Sequence, residues 1–474
     1  MNVVFFFPDE MRAKSLSCYG NQYVKTPNFD RLASEGTLFE NNYTTHPVCV
    51  ASRCSLMTGW YPHVEGFRTL RYFLQTEHPN FMRYLKQAGY ETHIYGKNHM
   101  FSDEVYAECV DFSQELQYDL SVMSKKKVLP EDTKDYKMYF DPLPDGRLEE
   151  ISDTKCVNEA VEVIKNYKQG DKPFFIFLPT FYPHAPYFLT EQYQNMYDPG
   201  KLPPCLPPDL ENKPEFQELI RKYRELGDTD EMVFRKIHAV YLGMCTYSDM
   251  LFGRVLDAID ATGLSEDTIV VFSSDHGDWA GDYGLVEKWP NAFDDDITKV
   301  PLIVRVPGYC KGHRVKELTQ TFDIFPTLFE ILGIDICHDQ FGISLKQQLQ
   351  GAAGDPQRTV YCEGGYDTRE PHAFEGSPKY SMFMQEGSIY YPKMMQQIYD
   401  RPSCCRGTML RNSKYKLNIR TNGENELYDM EEDPDEKYNL YYKAEYRDII
   451  CGLKDQMLTW LIHTSDVIPW ENHI

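Results

Sequence analysis

Residues 49–59 read CVASRCSLMTG and bring a thiol, a hydroxyl and a guanidinium into five consecutive positions. The stretch follows the turn-like dipeptide His46-Pro47 and continues into apolar residues, which predicts a short helix that ends at Gly59. Cys49 then lies near the helix N-terminus, where the dipole and the free backbone amides favour negative charge. Taken alone, the stretch leaves two interpretations open: a reactive Cys49, or a small buried thiol beside a surface Arg53.

Working outward, apolar segments that read as strands alternate with segments of helical periodicity along the first 350 residues. This alternation predicts an α/β fold with a large, mostly parallel sheet sandwiched by helices. The predicted strands are 2–7, 90–95, 174–178, 268–272 and 301–306. The segment 190–228, rich in proline and charge, is predicted to cross the surface.

From about residue 351 the pattern changes to short strand-like pieces joined by turn residues. Asn422-Gly423 fits a hairpin turn, and a closing helix is predicted over 444–462. We therefore expect a large domain over 1–350 and a smaller C-terminal α+β domain, built on a short antiparallel sheet, over 351–474.

The composition excludes several classes of function. The chain has 474 residues, with 49 Lys and Arg against 72 Asp and Glu, and a formal net charge of −23. Such a surface argues against nucleic acid and anionic membranes as partners, and no apolar run approaches the ~20 residues of a membrane helix. The 13 cysteines are an odd number, and their spacing does not fit a disulfide framework. The apolar start of the chain reads as a buried strand, not as a signal peptide. These features predict a cytoplasmic protein with free thiols.

Four polar clusters each come directly after a predicted strand. Ligands of parallel sheets bind outside the carboxyl ends of the strands, so these clusters are expected to meet at one edge. A chance arrangement would scatter them over both edges. The clusters are Asp9-Glu10, Lys97 to His99, His184 and Asp275-His276.

The acidic members predict a metal site. Asp9, Glu10 and Asp275 would repel one another at one edge unless a cation lay between them. His276 adds a nitrogen beside them, and oxygen-rich ligation favours Ca²⁺, Mg²⁺ or Mn²⁺ over zinc. Cations beside such a metal suit a tetrahedral oxyanion, as in a sulfate or phosphate ester. The candidate cations are Arg53, Lys97, His99, His184 and Lys288.

These residues match a known family. The chain resembles the type I sulfatases of the alkaline-phosphatase-like superfamily, whose signature is Cys, any residue, Pro, Ser, Arg, three residues, Leu or Met, Thr, Gly. Residues 49–59 fit this signature except at Ala51, where the family has proline. Tolerance of alanine there is associated with maturases of the anaerobic radical SAM type. The similarity continues in 17–20, 26–33, 89–97, 323–328 and the C-terminal hairpin around 426–440.

The resemblance implies that Cys49 is oxidised after synthesis to formylglycine, whose hydrated aldehyde would supply the nucleophile that attacks sulfur. It also implies one divalent ion, Ca²⁺ first with Mn²⁺ or Mg²⁺ as alternatives, held by Asp9, Glu10, Asp275 and His276. Among the cations, it implies that Arg53 and Lys97 position the formylglycine. It implies that His99 transfers a proton, and that His184 and Lys288 bind the sulfate. Glu10 and His276 stand where many members have Asp and Asn, and His276 moves the expected metal preference toward Mn²⁺.

Three functions are consistent with these residues. The first is hydrolysis of a sulfate ester of a carbohydrate, small or oligomeric, or of an aryl alcohol. The second is hydrolysis of a phosphonate or phosphate ester with the same formylglycine, and the third is a non-catalytic binding protein that keeps Cys49 as a thiol. The leaving alcohol depends on loops around the pocket, for which 67–72 and 374–406 are candidates, and the oligomeric state is not encoded in a readable pattern.

Overall fold

An eight-stranded sheet forms the centre of the computed structural model, which describes residues 1–116, 137–367, 369–370 and 388–467. Its strands are β1 (Asn2–Phe6), β2 (Thr37–Tyr43), β3 (Glu91–Gly96), β4 (Phe112–Glu115), β5 (Phe174–Leu178), β6 (Thr268–Ser273), β7 (Leu302–Arg305) and β8 (His313–Gln320). Their order in the sheet is β4-β3-β5-β1-β6-β7-β2-β8. β7 runs antiparallel to β6 and β2, whereas the other neighbouring pairs are parallel, so the predicted mostly parallel sheet is confirmed.

Helices cover both faces of this sheet. The described helices are α1 (Pro27–Glu35), α2 (Cys49–Thr58), α3 (Phe81–Gln87), α4 (Asp103–Cys109), α5 (Ser152–Asn166), α6 (Glu191–Gln194), α7 (Glu215–Tyr223), α8 (Glu231–Ala261), α9 (Asp295–Thr298), α10 (Ile324–Leu332), α11 (Lys346–Leu349), α12 (Tyr391–Tyr399) and α13 (Arg447–Thr464). Among the described residues, no helix combines the length and apolar character needed to cross a membrane.

The first strand shows why helices must pack on both faces of the sheet. Successive side chains of a strand point to opposite faces, and all five residues of β1 are buried. Val4 and Phe6 join the apolar cluster that contains α1, α5 and α8, whereas Val3 and Phe5 join the one that contains α2, α3, α4 and α10. The continuous apolar run at the start of the chain is therefore a central strand buried on both faces.

A second, antiparallel sheet has the order β12-β11-β10-β9, and its strands are β9 (Val360–Gly364), β10 (Gly407–Arg411), β11 (Tyr415–Arg420) and β12 (Glu426–Asp429). The predicted hairpin at Asn422-Gly423 joins β11 to β12, and Gly423 has the positive φ, 88°, that such a turn requires. Helix α13 covers this sheet, with Trp460 stacked on Tyr361 at 4.3 Å between ring centroids. The predicted C-terminal α+β architecture is confirmed.

Two backbone hydrogen bonds join the second sheet to two loops of the first. The backbone N–H of Glu363 donates to the carbonyl of Thr45 at 2.9 Å, and the N–H of Gly365 donates to that of Pro290 at 2.6 Å. Thr45 lies just before Cys49, and Pro290 lies just after Lys288. The end of β9 thus lies against both segments that carry these two candidate residues.

Candidate active site

Helix α2 begins at Cys49 and ends at Thr58, as the sequence predicts. Gly59 closes it in the left-handed conformation, with φ of 73°, and donates its N–H to Ser55. Every side chain of this helix is buried, so Arg53 is not a surface residue. Burial raises the pKa of the Cys49 thiol to about 11, with Lys97 opposing the shift, so the encoded thiol is protonated at neutral pH and a poor nucleophile.

Arg53 connects three parts of the site. Its Nε donates to Asp275 Oδ2 at 2.9 Å, its Nη2 donates to Asp9 Oδ2 at 3.1 Å, and its Nη1 donates to the Lys97 carbonyl at 2.9 Å. The side chain is fully buried, and it spans three loops that follow three different strands. A planar guanidinium has the fork of donors that this bridging needs, which lysine lacks.

Asp9, Glu10 and His276 form a candidate metal centre. All three are buried, and each offers a ligand atom within 4.8 Å of the others. Asp9 Oδ1 and His276 Nε2 lie 3.7 Å apart, and neither atom has a hydrogen-bond partner among the described residues. His276 Nδ1 lies 2.9 Å from the Gly277 carbonyl, to which it can only donate, so Nε2 presents its lone pair toward Asp9. Two buried acceptors facing each other without a proton fit a divalent cation.

Asp275 lies beside this group, with Oδ1 3.9 Å from His276 Nε2. It is held by Arg53 and by the N–H groups of Glu10 and His276, at 3.2 and 3.0 Å. The structure therefore brings together the four residues that the sequence proposed as metal ligands.

The two acidic residues after β1 have different electrostatic surroundings. Burial alone would raise the pKa of Asp9, but Lys97, with Nζ 2.6 Å from Oδ2, and the neighbouring His184 and Arg53 hold it well below its ordinary value. Burial raises the pKa of Glu10 well above its ordinary value. The nearby Lys288 opposes this rise, whereas the carboxylates around Glu10 increase it. A divalent ion beside Glu10 would favour its ionised form.

The basic residues line the same edge. Cys49 Sγ lies 3.4 Å from His99 Nδ1, and Lys288 Nζ lies 3.1 Å from His184 Nε2 while also contacting Glu10. Burial, together with Lys288 and Lys97, lowers the pKa of His184 well below its ordinary value. Burial, Lys97 and Arg53 do the same for His99. The structure places every residue that the sequence proposed for the site in one cluster, which is buried except at the half-buried His99.

The sequence did not identify a second layer of charged residues behind this cluster. The Glu287 carboxylate accepts from Arg224 Nη2 at 2.7 Å and from Lys393 Nζ at 2.8 Å. Asp278 Oδ1 accepts from Tyr187 Oη at 2.7 Å, and its carboxyl lies against Glu10. The sequence could have indicated Asp278, because it continues the polar run that begins at Asp275. Arg224 and Lys393 come from distant segments that contain no motif.

Comparisons with known proteins identify the family of this chain. The family model named Sulfatase matches residues 1–334. This chain is a member of the sulfatase family. Sulfatases hydrolyse sulfate esters, and the arylsulfatase of Clostridium perfringens is 26% identical over 484 residues, covering 96% of this chain and 92% of the relative. Iduronate 2-sulfatase of Mus musculus is 25% identical over 542 residues, covering 96% and 93%.

Solved structures share the fold of this sulfatase. Phosphonate monoester hydrolase SpPMH from Silicibacter pomeroyi superposes with a TM-score of 0.79 at 21% identity, covering 98% of this chain and 95% of that one. BT4656, solved in complex with its substrate D-glucosamine-2-N,6-O-disulfate, superposes with a TM-score of 0.74 at 20% identity, covering 98% of each chain.

Proposed function

We propose that this sulfatase cleaves the sulfate ester of a carbohydrate or aryl alcohol, releasing the alcohol and inorganic sulfate, with formylglycine made from Cys49 and one divalent ion. The observation that carries the proposal is the meeting of Cys49, the metal centre and the cations in one buried cluster at one sheet edge. The relatives named as an arylsulfatase and an iduronate 2-sulfatase support both kinds of alcohol.

Two groups complete the site. A maturase, proposed to be of the radical SAM type because of Ala51, converts Cys49 to formylglycine. Asp9, Glu10, Asp275 and His276 would hold the metal, with Ca²⁺ proposed first because three of the four are carboxylates, and Mn²⁺ or Mg²⁺ as alternatives. When bound, the ion and the hydrated aldehyde together supply an activated oxygen nucleophile at position 49.

The basic residues then act on charge and protons. Arg53 and Lys97 fix Asp9 and position residue 49, and Lys97 also places positive charge toward the sulfate oxygens. Because His184 Nδ1 donates to the Ala185 carbonyl at 2.5 Å, its Nε2 accepts from Lys288. Lys288 therefore carries the proton of this pair and faces the leaving oxygen as a donor. Neutral His99 beside residue 49 accepts a proton at Nδ1.

A second candidate function is hydrolysis of a phosphonate or phosphate ester by the same groups. The observation in its favour is that a phosphonate monoester hydrolase, SpPMH from Silicibacter pomeroyi, shares the fold with a TM-score of 0.79. The third candidate is a binding protein that keeps Cys49 as a thiol. The mass of the peptide that carries residue 49 distinguishes it from the other two.

The test uses protein produced together with a radical SAM maturase. Mass spectrometry of the tryptic peptide 32–53 reports conversion, which replaces sulfur and two hydrogens of Cys49 by one oxygen. We expect converted protein to hydrolyse 4-nitrophenyl sulfate and Cys49→Ala to be inactive. Faster turnover of a 4-nitrophenyl phosphonate would favour the second candidate, and unconverted Cys49 in protein from its native host would favour the third.

We also propose a division into a catalytic domain over 1–350 and a C-terminal α+β domain over 351–474, supported by the two separate sheets. A cytoplasmic location is supported by the cysteines, since all 13 are unpaired and most are buried.

A further inference from the structure

Asp153 is a buried carboxyl group at the start of helix α5, and it is not among the residues assigned to the site above. It is 1% exposed and lies in the first turn of the helix. Its Oδ1 accepts from the Phe181 N–H at 2.9 Å, and its Oδ2 accepts from the Tyr182 N–H at 2.8 Å. A buried carboxylate costs free energy unless hydrogen bonds compensate it, and here both oxygens bind successive backbone amides. Asp153 therefore holds the segment that follows strand β5.

That segment, residues 181–185, carries His184. The Phe181 ring stacks on the His184 imidazole, with 4.9 Å between the centroids and 30° between the planes. The His184 N–H donates to the Phe181 carbonyl at 2.9 Å, which closes the segment into a turn. At the other end, the Ala185 N–H donates to Glu10 Oε2 at 3.2 Å. The position of the imidazole thus depends on where the backbone of Phe181 is held.

The Phe181 ring also contacts a second cation of the site. Lys97 Nζ lies 5.9 Å from the ring centroid, a distance at which an aromatic face attracts an ammonium group. On its other side, His184 accepts from Lys288 at Nε2, as described above. A continuous series of contacts therefore joins Asp153, through one aromatic ring, to Lys97 and to the pair of His184 and Lys288.

We propose that Asp153 is a positioning residue for the proton donor to the leaving oxygen. It touches no reacting atom. By fixing the amides of residues 181 and 182, it keeps His184 where the ring accepts from Lys288, and so directs the Lys288 ammonium toward the leaving oxygen. The proposal rests on the function proposed above, in which this pair assists cleavage of the ester. Displacement of a reacting group by about 1 Å can lower a rate about 10²-fold, so a residue that only fixes the backbone can control the rate.

The dependence of the rate on the leaving group tests this role. Phenoxide is a stronger base than 4-nitrophenoxide, so a phenyl ester needs the proton more. The readout is the ratio of kcat/KM for phenyl sulfate to that for 4-nitrophenyl sulfate in converted protein. We expect Asp153→Ala to lower this ratio about tenfold or more, a part of the roughly 10²- to 10⁴-fold that positioned proton transfer contributes. Asp153→Asn should lower it less, because an amide oxygen can still accept from Tyr182.

Asp249 on helix α8 offers a matched control. It is 2% exposed and accepts from the N–H groups of Asn28 and Phe29 at 2.9 and 2.8 Å, at the start of α1, which carries no residue assigned to the site. Burial raises the pKa of Asp153 and of Asp249 to about 7 each, so the two carboxyls are also matched in charge. Asp249→Ala should lower Tm about as much as Asp153→Ala and leave the ratio unchanged.

A double variant tests whether Asp153 acts through His184. His184→Ala should lower the ratio, and Asp153→Ala combined with His184→Ala should lower it no further, because both changes remove the same effect. A further fall in the double variant would show that Asp153 acts elsewhere and would overturn the proposal.

An unchanged ratio in Asp153→Ala, or equal falls in Asp153→Ala and Asp249→Ala, would also overturn it. If Asp153→Ala does not fold, Asp153→Asn and Asp249→Asn provide the same comparison. If the protein turns over phosphonates in place of sulfates, the phenyl and 4-nitrophenyl phosphonates give the ratio. Unmutated, converted protein that cleaves neither kind of ester would refute the proposed function itself, and with it the reaction that Asp153 would serve.

Discussion

The sulfur of Cys49 lies 3.4 Å from Nδ1 of His99, although fifty residues separate them in the chain. This contact places a neutral imidazole against the one side chain that the proposed maturation changes. Burial, Lys97 and Arg53 all lower the pKa of His99, so it is available as a proton acceptor at neutral pH.

We therefore expect His99→Ala to lower kcat for 4-nitrophenyl sulfate by about 10²-fold or more, the usual size of a lost acid or base. KM should change much less, because Lys97, His184 and Lys288 remain to bind sulfate. The peptide that carries residue 49 must show the same conversion as in the unmutated protein. A kcat within a few-fold of the unmutated value would exclude His99 from proton transfer.

Removal of the metal should lower both activity and thermal stability. Asp9 Oδ1 and His276 Nε2 face each other as buried acceptors, so loss of the cation leaves both atoms without a partner. We expect dialysis against a chelator to lower Tm and Ca²⁺ or Mn²⁺ to restore it, with metal content followed by mass spectrometry. His276→Asn should shift the restoration toward Ca²⁺. Metal-free protein with unchanged Tm would contradict the centre.

Gly96→Ala should destabilise the protein and disturb the active site together. Gly96 has φ of 145°, and a Cβ there would overlap the carbonyl oxygen of Pro179. Lys97, the next residue, would be displaced from Asp9. We expect a loss of about 2 kcal/mol or more in the free energy of unfolding, with reduced kcat. Gly170→Ala is the matched control, since Gly170 also has positive φ but an open surrounding, and should cost only about 1 kcal/mol.

His93 should make folding sensitive to acid. Burial lowers its pKa to about 4, and the ring lies against Phe112 far from the metal centre. Between pH 6.5 and about 4 the unfolded chain binds the proton more readily, so the free energy of unfolding falls as the pH falls. One such group contributes up to about 1.4 kcal/mol per pH unit, and nothing above pH 6.5.

We therefore expect His93→Gln to flatten the decline of stability between pH 6.5 and 4.5, measured by urea unfolding at several pH values. An identical decline in both proteins would show that His93 is not buried neutral in solution.

The strands that sequence predicts best are those buried on both faces. The run Phe174–Leu178 is apolar at every position because both of its faces meet helices, and its bounds follow directly from composition. The strands β2, β4 and β8 are not predicted, since β4 and β8 are edge strands and all three contain polar positions. The reversed direction of β7 leaves no trace in its sequence. The segment 190–228 was predicted to cross the surface, yet α7 within it buries Phe216 and Ile220 against Trp279.

The candidate site was predictable for one physical reason. Except for Arg53 within helix α2, each proposed residue lies in or beside a loop, mostly after a strand, and strand ends meet at a sheet edge whatever their separation along the chain. Arg224 and Lys393, the two partners of Glu287, do not obey this rule, because they come from the end of helix α7 and from helix α12. Lys393 reaches Glu287 from helix α12, which follows the segment 371–387 outside the described residues. The part of the predicted specificity segment 374–406 that precedes residue 388 likewise lies outside them.

The two backbone hydrogen bonds from the end of β9 join main-chain atoms only. They hold the second sheet against the segments that carry Cys49 and Lys288, and they do not depend on which side chains β9 carries. The side chains of β9 can therefore change in sequence while both segments keep this support. In this respect the smaller sheet is a scaffold for residues of the larger one.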